Sequence, residues 1–277
     1  MVEKCVSFCD LAHLIKSDVS DMLERCVKQA GYEHLARIYL GSNFCSRYFL
    51  HYTDDIFEQV TTYLKAYPEI KITLVVPIFS ESCLEDGKKK IQSLLRKYGD
   101  VIDEITVNDY GAYLFVKDEK PCKKINVGRL LNKDVRDIRY ADYFNKPHKP
   151  NYIGIDSQFF ADSEIKYHEI DLSNRFIDLR GVKEHTAVYF PYCFVTVGGI
   201  CEFASIPYSI EKKFRPNMMC AHSCDSVIVA YKNSFGNEYV KSGRAVYTKV
   251  SDFTIYADGD YRMIYEPIEL LMEATHE

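Results

Sequence analysis

Three features are missing from this sequence, and each absence excludes a class of protein. No apolar run approaches the roughly 20 residues that span a bilayer, and the opening residues, MVEKCVSFCDLAHLIKSDVSD, lack the uninterrupted apolar core of a signal peptide. Basic residues are not in excess, because 35 Lys and Arg face 40 Asp and Glu, which gives a formal net charge of -5. We therefore expect a cytoplasmic protein without a membrane segment, and nucleic acid is a disfavoured partner.

The third absence is that of phosphate-binding glycine loops. No G-x-G-x-x-G follows the first predicted strand, and G-x-x-x-x-G-K-[ST] does not occur. These loops mark many open-sheet nucleotide-binding proteins, so their absence favours a barrel over an open sheet.

What the chain does contain is an alternation of strand and helix patterns. Short apolar, β-branched runs predict strands at residues 36–40, 71–77, 102–109, 124–129 and 152–156. Apolar spacing near 3.6 predicts amphipathic helices at residues 17–31, 53–67 and 84–100, the first two capped by Ser17 and Thr53. Such alternation predicts an α/β fold, a TIM-like barrel, irregular or incomplete in its C-terminal third. We expect residues 1–277 to form one domain.

Ten cysteines are more than a chain of this length usually carries. In a reducing cytoplasm they are expected to be free thiols or metal ligands rather than disulfides. Cys193, Cys201, Cys220 and Cys224 have the spacing C-x7-C-x18-C-x3-C. Only the last pair meets the spacing typical of zinc, whereas an iron–sulfur cluster requires four converging thiolates with irregular spacing. Three interpretations of these cysteines therefore remain open: a zinc site, an iron–sulfur cluster and plain thiols.

The remaining cysteines and a neighbouring histidine carry weaker indications of a metal role. Cys45 follows a predicted strand directly, and a buried small residue is as good an interpretation there as a ligand. His222, inside the x3 pair, is interpreted as a solvated loop residue. Plain thiols are predicted at Cys5, Cys9, Cys26, Cys83 and Cys122.

Polar residues at strand ends are the candidates for substrate contact, because catalytic groups of such barrels follow the strands. Asn108 and Asp109 end one predicted strand, and Arg129 follows the next and could bind a carboxylate with two hydrogen bonds. The alternatives are a tight turn at Asn108 and Asp109, and an ion pair of Arg129 with Asp134 or Asp137.

Four stretches together resemble a known family. They are YLGSNFCSR (39–47), VNDYG (107–111), VGRLLNKDVRD (127–137) and the late cysteines between 193 and 224. The chain resembles the collagenase-like peptidase family U-32, and within it the UbiV-like iron–sulfur members. The resemblance covers about residues 36 to 225.

The resemblance implies a TIM-like barrel that holds a 4Fe–4S cluster. It places the ligands at Cys45, Cys193, Cys220 and Cys224, with Cys201 as the alternative to Cys193. It further implies a component of an oxygen-independent hydroxylation system acting on a small organic substrate, with prephenate as a candidate hydroxyl donor, and a heterodimer with a second U-32 subunit. A peptidase or hydrolase, and a non-catalytic cluster-bearing subunit, are the alternatives. No Ser-His-Asp or H-E-x-x-H arrangement supports the peptidase.

Overall fold

The computed structural model describes residues 2–10, 18–119, 123–132, 146–147, 149, 165–173, 175–215 and 218–274. Its centre is a closed barrel of eight strands in which every neighbouring pair is parallel. In chain order the barrel strands are β1 (Val2–Ser7), β2 (Arg37–Gly41), β3 (Lys71–Val76), β4 (Ile102–Val107), β5 (Lys124–Val127), β6 (Ile165–Asp171), β8 (Thr186–Phe190) and β14 (Tyr261–Tyr265). The TIM-like barrel prediction is confirmed.

Helices follow the first four strands. They are α1 (Val19–Gln29), α2 (Ser46–Tyr63), α3 (Leu84–Tyr98) and α4 (Tyr110–Glu119); α5 (Glu202–Ser205) and α6 (Ile268–Ala274) come later. Asp18 caps α1, because its carboxylate accepts a hydrogen bond from the Ser20 amide. None of the described helices is long and apolar enough to cross a membrane.

Two predictions at the beginning of the chain were wrong. The run at 36–40 forms the second barrel strand, because residues Val2–Ser7 already form the first and pair with both β2 and β14. The second helix begins at Ser46 rather than at the predicted cap Thr53, which is buried in the middle of α2.

The predicted irregularity of the C-terminal third is present. Between β8 and β14 the chain leaves the barrel to form an antiparallel sheet in the order β10 (Ile228–Lys232), β11 (Glu238–Ser242), β12 (Ala245–Lys249) and β9 (Tyr192–Val197). A small parallel pair joins β7 (Phe176–Asp178) to β13 (Thr254–Tyr256). The predicted strand at 152–156 lies outside the described residues.

Side chains alternate along each strand between the outside and the inside of the barrel. The two sides carry different kinds of residue. The outward residues, such as Ile38, Leu74 and Val107, belong to the large apolar core beneath the helices. The inward residues include charged groups: Arg262 donates to Glu3 at 2.7 Å and to Glu104 at 2.8 Å. The interior therefore contains an ion-pair network in which the buried Arg262 charge is matched by two carboxylates.

Candidate functional site

The carboxyl ends of the barrel strands converge on a cavity of about 120 Å³. Its lining includes four thiols from three segments of the chain, Cys45, Cys201, Cys220 and Cys224. They lie after β2, after β9, and in the irregular segment before β10. The fold thus places all four at the end of the barrel where (β/α) barrels carry their chemistry.

Cys45 is held by the loop that follows β2. Gly41 begins this loop with φ 124°, and a Cβ atom there would lie 2.1 Å from the Val75 carbonyl oxygen, so only glycine fits. The buried carboxylate of Asp10 accepts hydrogen bonds from the Ser42 hydroxyl and from the Asn43 amide. Ser42 Oγ in turn accepts from the Cys45 amide at 2.8 Å.

The Cys45 sulfur lies at the N-terminus of α2, as its N-cap. It accepts a hydrogen bond from the Tyr48 amide at 3.4 Å. Free amides at the start of an 18-residue helix favour negative charge at this position. The thiolate form of Cys45 is therefore the form that the helix stabilises.

Cys220 precedes a short 3₁₀ turn, Ser223–Asp225, and Cys224 lies within it. His222 precedes this turn with φ 56°, a left-handed conformation that is uncommon for a residue other than glycine. The conformation directs the His222 amide to the Cys220 sulfur at 3.4 Å. Both Cys45 and Cys220 thus receive a backbone N–H···S hydrogen bond.

The structure separates the two candidates for the remaining ligand. Cys201 lines the cavity, directly before α5. Cys193 lies within β9, is 1% exposed, and is not among the described residues that line the cavity. Position alone therefore favours Cys201.

Burial opposes ionisation of these thiols in the absence of a bound cation. It raises the pKa of Cys45 to about 12 and also raises the pKa values of Cys220 and Cys224. Two guanidinium groups act in the opposite direction, that of Arg244 on Cys45 and that of Arg47 on Cys220. Both arginines line the cavity.

Arg129, a predicted substrate contact, is fully buried and bound within the chain. Its guanidinium donates to both carboxylate oxygens of Asp171 and, at 2.7 Å, to Glu266. It stacks on Tyr189, with 3.9 Å between the guanidinium carbon and the ring centroid. The predicted alternative partners, Asp134 and Asp137, lie outside the described residues.

Asn108 and Asp109 support neighbouring backbone. Asn108 is buried, donates to the Val76 carbonyl at 3.2 Å and accepts from the Leu130 amide at 3.2 Å. Asp109 accepts from the Ala112 amide at 2.7 Å, in the first turn of α4. Neither lines the cavity among the described residues.

Three residues of the site were not predicted: Asp10, Arg47 and Arg244. Asp10 follows β1, so recognising Val2–Ser7 as a strand would have placed it at a strand end. Arg47 directly follows the Cys45 motif in sequence. Arg244 lies in the turn between β11 and β12, where no motif marks it.

The donor set fits an iron–sulfur cluster in its chemistry. Four thiols around one cavity, with backbone amides and guanidinium groups near the sulfurs, match the thiolate ligation and hydrogen bonding of such clusters. This match is one of donor type and not of spacing, because within the described ranges no three His, Cys, Asp or Glu side chains form a group that could hold a metal ion. The nine described cysteines are all free thiols.

Comparison with known proteins gives no further assignment, because no family model, curated protein or solved structure matches the chain.

Proposed function

We propose that this chain is a 4Fe–4S protein of the U-32 type whose cluster is held by Cys45, Cys201, Cys220 and Cys224. The observation that carries the proposal is the convergence of these four thiols, from segments up to about 175 residues apart, on one cavity at the carboxyl end of the barrel. Cys201 takes the place that the sequence resemblance gave first to Cys193.

The surroundings of the thiols support thiolate ligation over a set of plain buried cysteines. Buried thiols with raised pKa values are inert unless a cation compensates their charge. Backbone amides point at two of the sulfurs, and Arg47 and Arg244 favour the thiolate forms of Cys220 and Cys45. These contacts oppose the effect of burial on the sulfurs, and a bound cation would supply the remaining compensation.

We further propose a role in oxygen-independent hydroxylation of a small organic substrate, with prephenate as a candidate hydroxyl donor and a second U-32 chain as partner. A bound cluster would supply the redox capacity that amino-acid side chains lack. The chain's own part is to bury the thiolates, to orient them through the Asp10 and His222 contacts, and to balance their charge with arginines. The sequence resemblance supports this finer assignment, together with the position of the cavity at the strand ends.

The test of the cluster is anaerobic purification followed by iron analysis and spectroscopy. We expect a brown protein with broad absorbance near about 400 nm and about four irons per chain, as is typical of thiolate-bound clusters. Cys201→Ala should lose the iron, while Cys193→Ala, a matched substitution in the neighbouring strand, should keep it. A colourless wild-type protein, or one with a single tightly bound zinc, would overturn the proposal.

The hydroxylation role is tested separately from the cluster. The brown protein should co-purify with a related chain when both are expressed together, and product should form only with the cluster present. Peptide cleavage by the colourless protein would favour the hydrolase alternative instead.

A further inference from the structure

The segment that carries Cys220 and Cys224 has little structure of its own. Apart from the turn Ser223–Asp225 it forms no regular element between α5 and β10 except a 3₁₀ turn at Ile210–Lys212, within the described residues. Met219, next to Cys220, is 79% exposed. If Cys220 and Cys224 bind a cluster, their sulfurs must be held in fixed positions. A segment with so little regular structure does not hold them by itself.

An aromatic contact joins this segment to α2. The imidazole ring of His222 stacks on that of His51, with 4.0 Å between centroids and 23° between planes. Tyr52 meets both rings edge-on, at 4.5 Å from His51 and 5.5 Å from His222. His51 and Tyr52 lie less than two turns after Cys45, which caps the same helix.

The backbone of His222 is linked to this contact. Its left-handed conformation carries a steric cost that glycine would avoid. The same conformation turns the ring towards α2 and the amide towards the Cys220 sulfur. We therefore infer that the stacking of His222 on His51 offsets the steric cost of the left-handed conformation. It also holds the Cys220 sulfur in position.

We propose that His51, Tyr52 and His222 form a clasp that fixes the segment of Cys220 and Cys224 on α2. Because Cys45 begins α2, the clasp sets the distance between this pair of thiols and Cys45. The three residues are positioning residues, which act through the thiols and do not bind metal. The consequence for cluster binding rests on the proposed function, whereas the clasp itself does not.

The first experiment measures the alkylation of individual thiols in the cluster-free, reduced full chain by iodoacetamide, with mass spectrometry of the peptides. His51→Ala should speed alkylation of Cys220 and Cys224 about fivefold, the factor expected for the loss of one aromatic stack. His51→Phe keeps a stacking ring and should restore the wild-type rate. His222→Gly keeps the left-handed backbone, loses the ring, and should match His51→Ala.

The matched control removes a different stack at the other end of α2. Tyr63 and Tyr67 stack with 4.6 Å between centroids, so Tyr67→Ala tests whether any lost ring loosens the site. The clasp is overturned if Cys220 and Cys224 of His51→Ala are alkylated at the wild-type rate. It is also overturned if Tyr67→Ala speeds their alkylation equally. Circular dichroism excludes variants that fail to fold, and if His51→Ala is one of them, His222→Gly against the wild type gives the comparison.

The second experiment exposes the purified cluster-bound protein to air and measures how fast its absorbance at about 400 nm is lost. His51→Ala should lose it about fivefold faster than the wild type, as expected for a lost stack, and Tyr67→Ala should not. A wild-type protein that never takes up iron would end the proposed function, and the alkylation result would still decide the clasp.

Discussion

Glu169 gives the most informative test of the barrel interior, because its carboxyl is fully buried and none of the described arginines forms an ion pair with it. It accepts hydrogen bonds from the Thr106 hydroxyl at 2.5 Å and the Tyr189 hydroxyl at 3.1 Å. Burial nevertheless raises its pKa from 4.5 to about 7. A carboxyl with a raised pKa in the folded state binds its proton more tightly there than in the unfolded chain. Its contribution to stability is complete below pH 4.5 and is lost as the pH rises through 7.

The magnitude follows from the size of the shift. A shift from 4.5 to about 7 corresponds to about 3 kcal/mol of folding free energy, at 1.36 kcal/mol per pKa unit. Glu169→Gln has the same shape and does not ionise. The stability of the variant relative to the wild type should therefore increase by about 3 kcal/mol between pH 4.5 and pH 8.5. The measurement is urea denaturation of the reduced protein at a series of pH values.

Glu104, in the same barrel interior, provides the opposite control. Burial would raise its pKa, but the hydrogen bond and charge of Arg262, and then the charge of Arg37, hold the pKa below its usual 4.5. Glu104→Gln should therefore destabilise the protein at neutral pH, and this loss should shrink as the pH falls below 4.5. A stability difference for Glu169→Gln that does not change with pH, or the same slope for both variants, would refute the reasoning.

Three further predictions concern the cavity and its support. In the proposed cluster-bound protein, Arg244→Gln should lower the reduction potential by some tens of millivolts, since a positive charge near Cys45 favours the more negative, reduced cluster. Arg244→Lys should keep most of the wild-type potential, and a redox titration measures both variants. Asp171→Ala should cost about 3–5 kcal/mol in urea denaturation, because it leaves the buried Arg129 charge without its main partner; a loss under about 1 kcal/mol contradicts this. Gly41→Ala should cost about 3 kcal/mol or more, because its Cβ would meet the Val75 carbonyl; a normal thermal midpoint would show that the loop relaxes.

Most of the barrel was predictable, because buried parallel strands carry a local pattern. All five residues of β2 and the last five of β3 are buried, and their continuous apolar runs predicted both strands. The strand β1 was missed because it carries inward Glu3 and Cys5 in place of an apolar run. The early start of α2 was missed because the cap at Cys45 is a thiol, which is not a usual capping residue.

The candidate site was predictable only in part. Cys45, Cys220 and Cys224 belong to motifs that can be read along the chain, and all three line the cavity. The choice between Cys193 and Cys201 depends on where β9 ends, since Cys193 lies within that strand and Cys201 after it. The predicted role of Arg129 in substrate binding remains a prediction, although the structure gives this arginine two carboxylates of its own.

The sequence by itself determined the alternation of strands and helices, the large number of cysteines, and the close spacing of Cys220 and Cys224. These features depend on neighbours a few residues apart, so local patterns suffice to specify them. Only the tertiary structure decided which thiols line one cavity, that His222 stacks on His51, and that Arg129 is already paired. Closure of the barrel brings together strand ends that are tens of residues apart in the chain, and no local pattern records that distance.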